Sequence, residues 1–453
     1  MASLPRFASA AHRWARARRW LLLGHRGPFF ARYAPRDLPT PDREEDGVEA
    51  IRVWARWGLA ERLDEGLGQL TSVRVDQSGL SIGIAQALGV AASERDRDAA
   101  TGLLRTVARA ARAPGMELAS SFARAVDVAA EHGIPRVVDE PELRAARELL
   151  AITDEPVRDV LVWASRRAGR PRRSPLALVD ILRVLRNQTL DAIIQPAGDP
   201  WPALVAWRHT LGLELPAASE VAVEPEAWPG SWALRGRRSR LVGTSGWPGA
   251  LRARFAMQGL GRLDALSEGG QAALLPRDAA AIQVLAAVYP MLLAEGGFLG
   301  RIFAPSRLGH GHGADFRRLA ALGELLLQRI QAAALHLWSA FDQSRELGAV
   351  LEAASVVSQA LHATVPPDFA ILLAMPWADG MSALPSATMT GAGLIESWRE
   401  VFDEDFWRNP RFAEPLRGLA SRAASESLAT LVPGAHANGP KAYARWVEAA
   451  LGS

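Results

Sequence analysis

The chain is 453 residues long, 49% hydrophobic and 22% charged, and its formal net charge is +3. This balance excludes a disordered or fibrous protein and allows a large buried core in two or three domains. The sequence contains no cysteine, which excludes disulfides, iron–sulfur clusters, thiolate zinc sites and cysteine catalysis.

The cations are almost all arginine, because Lys441 is the only lysine. Two basic runs, at 13–20 and 166–173, are short and lack a recognisable binding fold around them, so we interpret them as solvated surface and expect no nucleic-acid partner. The apolar run "WLLLG" is shorter than the roughly 7–15 residues of a signal-peptide core. No apolar stretch approaches the roughly 20 residues of a membrane helix, so we expect no membrane partner and a cytoplasmic location.

The first half of the chain is predicted to be a stack of amphipathic helices. Segments such as "ERDRDAATGLLRTVARAARA" carry apolar residues at spacings of three and four, with alanine, arginine and glutamate on the other face. Thr153 or Asp154 is expected to cap a helix that ends at Gly169, just before Pro171. These helices form a predicted N-terminal lobe, residues 1–213.

The second predicted lobe, residues 214–453, begins with a different pattern. "SEVAVEPEAW" alternates and the residues after it form short aromatic and arginine-rich runs, which predicts a few short strands within 214–246 as the only sheet. Helices then resume at 250–266 and follow one another to the C-terminus. The predicted fold class is mainly α with one small β-sheet, and the two lobes are expected to form one compact unit.

Several histidines and acids are candidates for a chemical role. His310 and His312 lie two residues apart in the glycine-rich "LGHGHG" and could share a metal, but zinc sites need three or four ligands, so a surface loop is the preferred interpretation. His336 and His362 lie on apolar helices and are expected to be core or boundary residues. The acids and aromatics at 402–410 precede Asn409-Pro410 and predict a turn with anchoring aromatics.

One short stretch has the spacing of a metal-binding helix without its ligands. In "FAMQGLGRLDAL", His, Glu and His in place of Gln258, Gly259 and Arg262 would create the zinc-peptidase sequence "HELGH". Its surroundings resemble the oligoendopeptidase and thimet-oligopeptidase type of zinc peptidase, a gluzincin family that is almost wholly helical. The strand patch before this helix is similar to that of the family, as are the long helix at "LGELLLQRIQAAALHLW" and the tail at "LIESWREVFDEDFWRNP".

The resemblance implies a fold with a central cleft and a site whose ligands are missing. "AAAIQVLAAVYPMLL" resembles the family helix that supplies the glutamate ligand, and Gln283 stands at the likely ligand position. Glutamine is a weak zinc ligand, a guanidinium repels a dication, and glycine cannot act as a base. The family also uses late Tyr and His residues to stabilise an oxyanion, whereas the region between Tyr289 and Tyr443 contains no tyrosine.

The resemblance therefore implies a catalytically inactive metallopeptidase homologue, with no catalytic residue, no metal and no cofactor. Gln258, Arg262 and Gln283 are predicted to face one cavity, and the strands to form its rim. Such a protein would bind a peptide or protein partner, including an active paralogue. Two alternatives stay open: a helical interaction or assembly protein of unrelated ancestry, and an enzyme with a relocated metal site at His310 and His312.

Overall fold

The fold was analysed in a computed structural model of the chain. The structure describes most residues of eleven segments and a few isolated positions between them. The segments are 72–131, 140–167, 176–186, 220–223, 232–235, 239–242, 279–295, 312–344, 352–374, 384–423 and 426–452.

The first described element is a β-hairpin of strands β1 (Arg74–Gln77) and β2 (Leu80–Gly83), which pair antiparallel. Ser78 and Gly79 form its two-residue turn with φ of 54° and 81°, the left-handed conformation that such tight hairpin turns require. The Asp76 carboxylate accepts a hydrogen bond of 3.1 Å from the Gly79 amide. The sequence prediction of a single sheet missed this hairpin.

Four helices follow the hairpin and bury a shared apolar core. They are α1 (Ile84–Ser93), α2 (Arg97–Glu131), α3 (Glu140–Arg167) and α4 (Leu178–Arg186). The start of α4 is tied to α2, because the buried carboxylate of Asp180 accepts hydrogen bonds of 2.9 Å from both Arg97 and the Ala177 amide.

The predicted helix start at Thr153 or Asp154 is wrong, because α3 passes through both residues and contains Pro156 in its interior. Thr153 does not cap; its hydroxyl donates to the Leu149 carbonyl one turn earlier, at 2.7 Å. A capping residue before a proline is a strong local signal for a helix start. Here ten buried residues along α3 outweigh it, so tertiary packing keeps the helix continuous.

The strands predicted within 214–246 are confirmed. β3 (Glu220–Val223), β4 (Trp232–Arg235) and β5 (Ser239–Val242) form one sheet in the order β3-β5-β4. β3 runs parallel to β5 and β4 runs antiparallel to it.

The remaining described elements are almost all helical, as predicted. They are α5 (Ala279–Met291), α6 (His312–Ser344), α7 (Ser355–Leu361), α8 (Pro367–Ala374), α9 (Leu384–Phe402), α10 (Ala413–Arg422), α11 (Leu428–Leu431) and α12 (Pro433–Gly452). Within the described ranges, no helix is both long and apolar enough to cross a membrane.

Helices α9 and α12 approach each other very closely. A Cβ atom on Gly393 would lie 2.3 Å from the Ala435 carbonyl oxygen, so only glycine fits there. A Cβ on Gly439 would lie 3.0 Å from the Met389 backbone. The connection after α9 consists of two 3₁₀ turns, Phe406–Arg408 and Pro410–Phe412, which agrees with the predicted turn.

Aromatic side chains anchor that connection. Phe406 and Phe412 pack edge-to-face with ring centroids 5.1 Å apart, and Trp398 of α9 lies 4.9 Å from the Phe412 ring. The Asn409 side chain accepts from the Arg411 amide at 3.0 Å. The acids and aromatics at 402–410 therefore serve to anchor a turn.

Candidate functional site

Of the four positions predicted to form the degenerate metal site, the structure describes one. Gln283 lies on α5 and is buried, with 8% of its surface exposed. Gln258, Gly259 and Arg262 lie outside the described residues. Their convergence with Gln283, and the position of the small sheet at a cavity rim, stay predictions.

The alternative metal residues are only partly covered. His312 is the first residue of α6, and His310 lies outside the described residues. The described part of the chain contains no group of three or more His, Cys, Asp or Glu side chains close enough to hold one metal ion.

The densest polar arrangement in the described core lies on α6. Five polar side chains of this helix are buried in an otherwise apolar interior, and Ser339 is one of them. The other four are Glu324, Gln328, Arg329 and Gln331. Arg329 is the largest of the side chains that are almost fully buried, with 1% of its surface exposed. A buried arginine needs partners for its charge and its donors, and these partners show what it does.

The Arg329 guanidinium joins three helices. Its Nε donates to the Ala360 carbonyl of α7 at 2.5 Å. Nη1 donates to the Leu150 carbonyl and the Thr153 hydroxyl of α3, at 2.9 and 2.6 Å. Nη2 lies 3.0 Å from a carboxylate oxygen of Asp154 on the same helix. We call Arg329 with these partners and His362 the Arg329 clamp.

The clamp leaves no donor for a substrate. A guanidinium has five N–H donors, and the fifth direction, from Nη2, points at His362 Nε2 at 3.3 Å. Burial lowers the pKa of Arg329, and the hydrogen bond and charge of Asp154 act in the opposite direction. The group therefore fixes the packing of α3, α6 and α7 and is not a free cation for an oxyanion.

His362 completes the clamp at the end of α7. It adopts a left-handed conformation with φ of 47°, and its Nε2 lies 3.0 Å from the Asp154 carbonyl oxygen. Nε2 donates to that carbonyl in the tautomer that carries the proton there, and it accepts from Arg329 in the other tautomer. Burial, followed by the neighbouring Arg329 charge, lowers the pKa of His362, while Asp154 raises it. These contacts confirm the prediction of a satisfied boundary histidine.

Tyr443 of α12 is also committed to the core. It is fully buried, and its hydroxyl donates to the Gln328 side-chain oxygen at 2.5 Å. The Gln328 amide in turn donates to Glu324 at 2.8 Å. Burial, followed by the negative charge of Glu324, raises the pKa of Tyr443 well above its ordinary value. The hydroxyl therefore stays protonated and donates its hydrogen bond to a buried partner inside the helix bundle.

Sequence reasoning missed the clamp, although one signal was present. Arg329 interrupts the apolar run "LGELLLQRIQAAALHLW", where a charge on a buried face requires a partner. Its partners come from residues more than 170 positions away on α3 and about 30 away on α7. No local pattern indicates contacts of that separation.

No protein-family model and no curated protein matches this sequence. The solved structure of PZ peptidase A with inhibitor 2, a helical metallopeptidase, is similar in fold with a TM-score of 0.55 and 10% sequence identity. The similarity covers 98% of this chain and 86% of that chain. Identity at this level shows the fold alone. The chain therefore has a mainly helical, metallopeptidase-like fold.

Proposed function

We propose that this protein is an inactive metallopeptidase homologue that binds a peptide or a protein partner, such as an active paralogue, in a retained cleft. The observation that carries the proposal is Gln283, a buried amide on α5 at the position where the sequence resemblance expects a glutamate ligand. The fold similarity to a metallopeptidase over nearly the whole chain supports that alignment.

Ligand chemistry supports the loss of zinc. Zinc sites use Cys, His, Asp or Glu, and an amide side chain offers only a neutral carbonyl oxygen. At the remaining family positions the sequence has Gln258 and Arg262 as ligand replacements and Gly259 as the base replacement. None of these residue types supplies an anionic ligand or a general base.

The tyrosines support the loss of catalysis as well. Oxyanion stabilisation needs a donor that is free to reach the substrate. The Tyr443 hydroxyl donates to Gln328, and Tyr289 on α5 is buried with 2% of its surface exposed. The third tyrosine, Tyr33, lies more than 200 residues before the predicted site positions in the sequence.

An arginine in place of a histidine ligand would also change what the cleft prefers to bind. A guanidinium pairs with carboxylates through two parallel hydrogen bonds. We therefore expect Arg262 to pair with an internal carboxylate or with a carboxylate of the bound peptide.

Elemental analysis and a peptide-cleavage assay on the purified full chain test the inactive state. We expect no stoichiometric zinc, no cleavage of a mixed peptide pool, and an unfolding midpoint that chelators leave unchanged. Gln283→Glu should restore neither zinc nor cleavage, because ligands, base and oxyanion donors act as a unit. Near one zinc per chain, lost in His310→Ala or His312→Ala, would instead establish the relocated metal site.

Peptide binding needs a separate measurement. Equilibrium dialysis against a defined peptide pool, read by mass spectrometry, should retain a subset of sequences. Arg262→Gln should weaken the retained peptides that carry carboxylates more than those that carry none. If no peptide of the pool is retained, the result would favour the alternative function, a helical interaction or assembly protein of unrelated ancestry.

A further inference from the structure

A cluster of arginines around one tryptophan lies where the C-terminal end of α3 meets the N-terminal part of α6. It consists of Trp163, Arg166 and Arg167 on α3 and of Asp315 and Arg318 on α6. We call these five residues the Arg–Trp patch. Trp163 and Arg318 are partly exposed, and Arg166 and Arg167 are exposed.

Two guanidinium groups stack on the same indole. The Cζ atoms of Arg167 and Arg318 lie 4.9 and 4.7 Å from the centre of the Trp163 ring. Stacking of this kind engages the flat face of a guanidinium and leaves its N–H donors in the plane. The indole thus holds two cations in place with part of their hydrogen-bonding capacity remaining.

The patch already binds one carboxylate and has capacity for more. Arg167 Nη1 lies 2.5 Å from a carboxylate oxygen of Asp315. Neither Arg318 nor Arg166 forms an ion pair among the described residues, and the buried Nε atom of Arg318 leaves its terminal Nη groups as the donors for a ligand. The patch therefore carries three guanidinium groups and one carboxylate, and only Arg167 is paired with that carboxylate.

We propose that the Arg–Trp patch is a docking surface for an acidic peptide segment of a partner protein. Planar guanidinium groups bind carboxylates with two parallel hydrogen bonds. The exposed part of Trp163 offers an apolar neighbour for an aliphatic or aromatic side chain. Because stacking orders both arginines before binding, little side-chain entropy is lost when a carboxylate arrives.

The size of the patch favours a peptide over a nucleic acid. Nucleic-acid binding is dominated by many phosphate contacts, about 6–10 for a typical DNA-binding protein, and by the counterions they release. Among the described residues, the three arginines of the patch with one acid among them supply too few cations for that mode. They match the two or three carboxylates of a short acidic segment.

Fluorescence anisotropy with a labelled peptide of alternating Glu and Leu residues tests the proposal on the full chain. The comparison variant is Arg167→Gln/Arg318→Gln. The matched control is Arg105→Gln/Arg109→Gln, which removes two exposed arginines from α2 and hence the same charge. We expect saturable binding to wild type and to the control, and at least tenfold weaker binding to the patch variant.

Two further arms separate the sources of binding. A Gln/Leu peptide of the same length should not bind, and a labelled oligothymidine should bind no better to wild type than to the patch variant. Equal loss in the patch and control variants would show non-specific charge attraction and overturn the proposal. Two other outcomes would also overturn it: oligothymidine binding that is lost in the patch variant, and no binding of the acidic peptide to wild type. Thermal unfolding of both variants is measured as well, and unchanged midpoints exclude misfolding as the cause of any loss.

Discussion

The helix pair α3 and α6 carries arginines in two contrasting settings. In the Arg329 clamp the guanidinium is buried, and every donor direction meets a protein partner on α3 or α7. In the Arg–Trp patch, at one end of the pair, Arg167 is exposed and Arg318 is partly exposed, and both stack on Trp163. Burial, and the number of guanidinium donors that have protein partners, therefore decide whether an arginine holds helices together or is available to a ligand.

The strongest test of this contrast is Arg329→Met. Removing one partner from a buried charged network typically costs about 3–5 kcal/mol, and we expect the lower end because the Asp154 side chain is 52% exposed and can return to water. The free energy of unfolding from urea titration measures the loss. The control, Arg158→Met, removes an exposed ion pair on α3 and should cost less than about 1 kcal/mol. Equal losses in the two variants would refute the clamp.

Tyr443→Phe tests whether the hydrogen bond from Tyr443 to Gln328 holds α12 against α6. The change leaves the Gln328 side-chain oxygen buried without its donor, which we expect to cost about 1–2 kcal/mol. A double-mutant cycle with Gln328→Met should show coupling, because the two side chains contact each other directly. Strictly additive effects would mean that the hydrogen bond contributes nothing to stability.

Arg318→Gln should change stability much less than Arg329→Met, although both residues belong to α6. The loss is one cation–π contact at a partly exposed site, about 0.5–1 kcal/mol. Urea titration of this variant beside the clamp variant measures the difference. A loss as large as that of Arg329→Met would mean that the patch is a structural joint and not a docking surface.

The smallest expected effect concerns pH. The pKa of His362 is lowered in the fold from 6.5, so between its folded value and 6.5 the unfolded chain binds more protons than the folded one. Its contribution to stability is therefore present above pH 6.5 and is lost as the pH falls through that window. Asp154 opposes the shift, which keeps the effect small.

His362→Asn isolates this contribution, because asparagine tolerates the left-handed backbone at this position. Unfolding free energies of wild type and variant, compared from pH 7.5 to 5, should converge as the pH falls. A constant difference across the range would show that His362 does not change its protonation within the clamp.

Local patterns in the sequence determined the secondary structure well. The spacing of apolar residues in "DFRRLAALGELLLQRIQAAALHLWSAFDQ" predicted α6, and alternation in "SEVAV" predicted β3. These predictions succeed because periodicity is a property of neighbouring residues. The hairpin of β1 and β2 was missed although Ser78-Gly79 is a recognisable turn pair.

The residue types alone also argue against zinc at the family's ligand positions. Gln283, Gln258 and Arg262 are not zinc ligands, wherever the fold places them. Tertiary structure alone decided the roles of residues whose partners lie far away in the chain. Thr153 and Asp154 read locally as a helix start, yet they lie inside α3 and bind Arg329 of α6. The physical reason is that a buried charge is stabilised only by the particular groups that packing brings to it, and those groups have no fixed spacing in sequence.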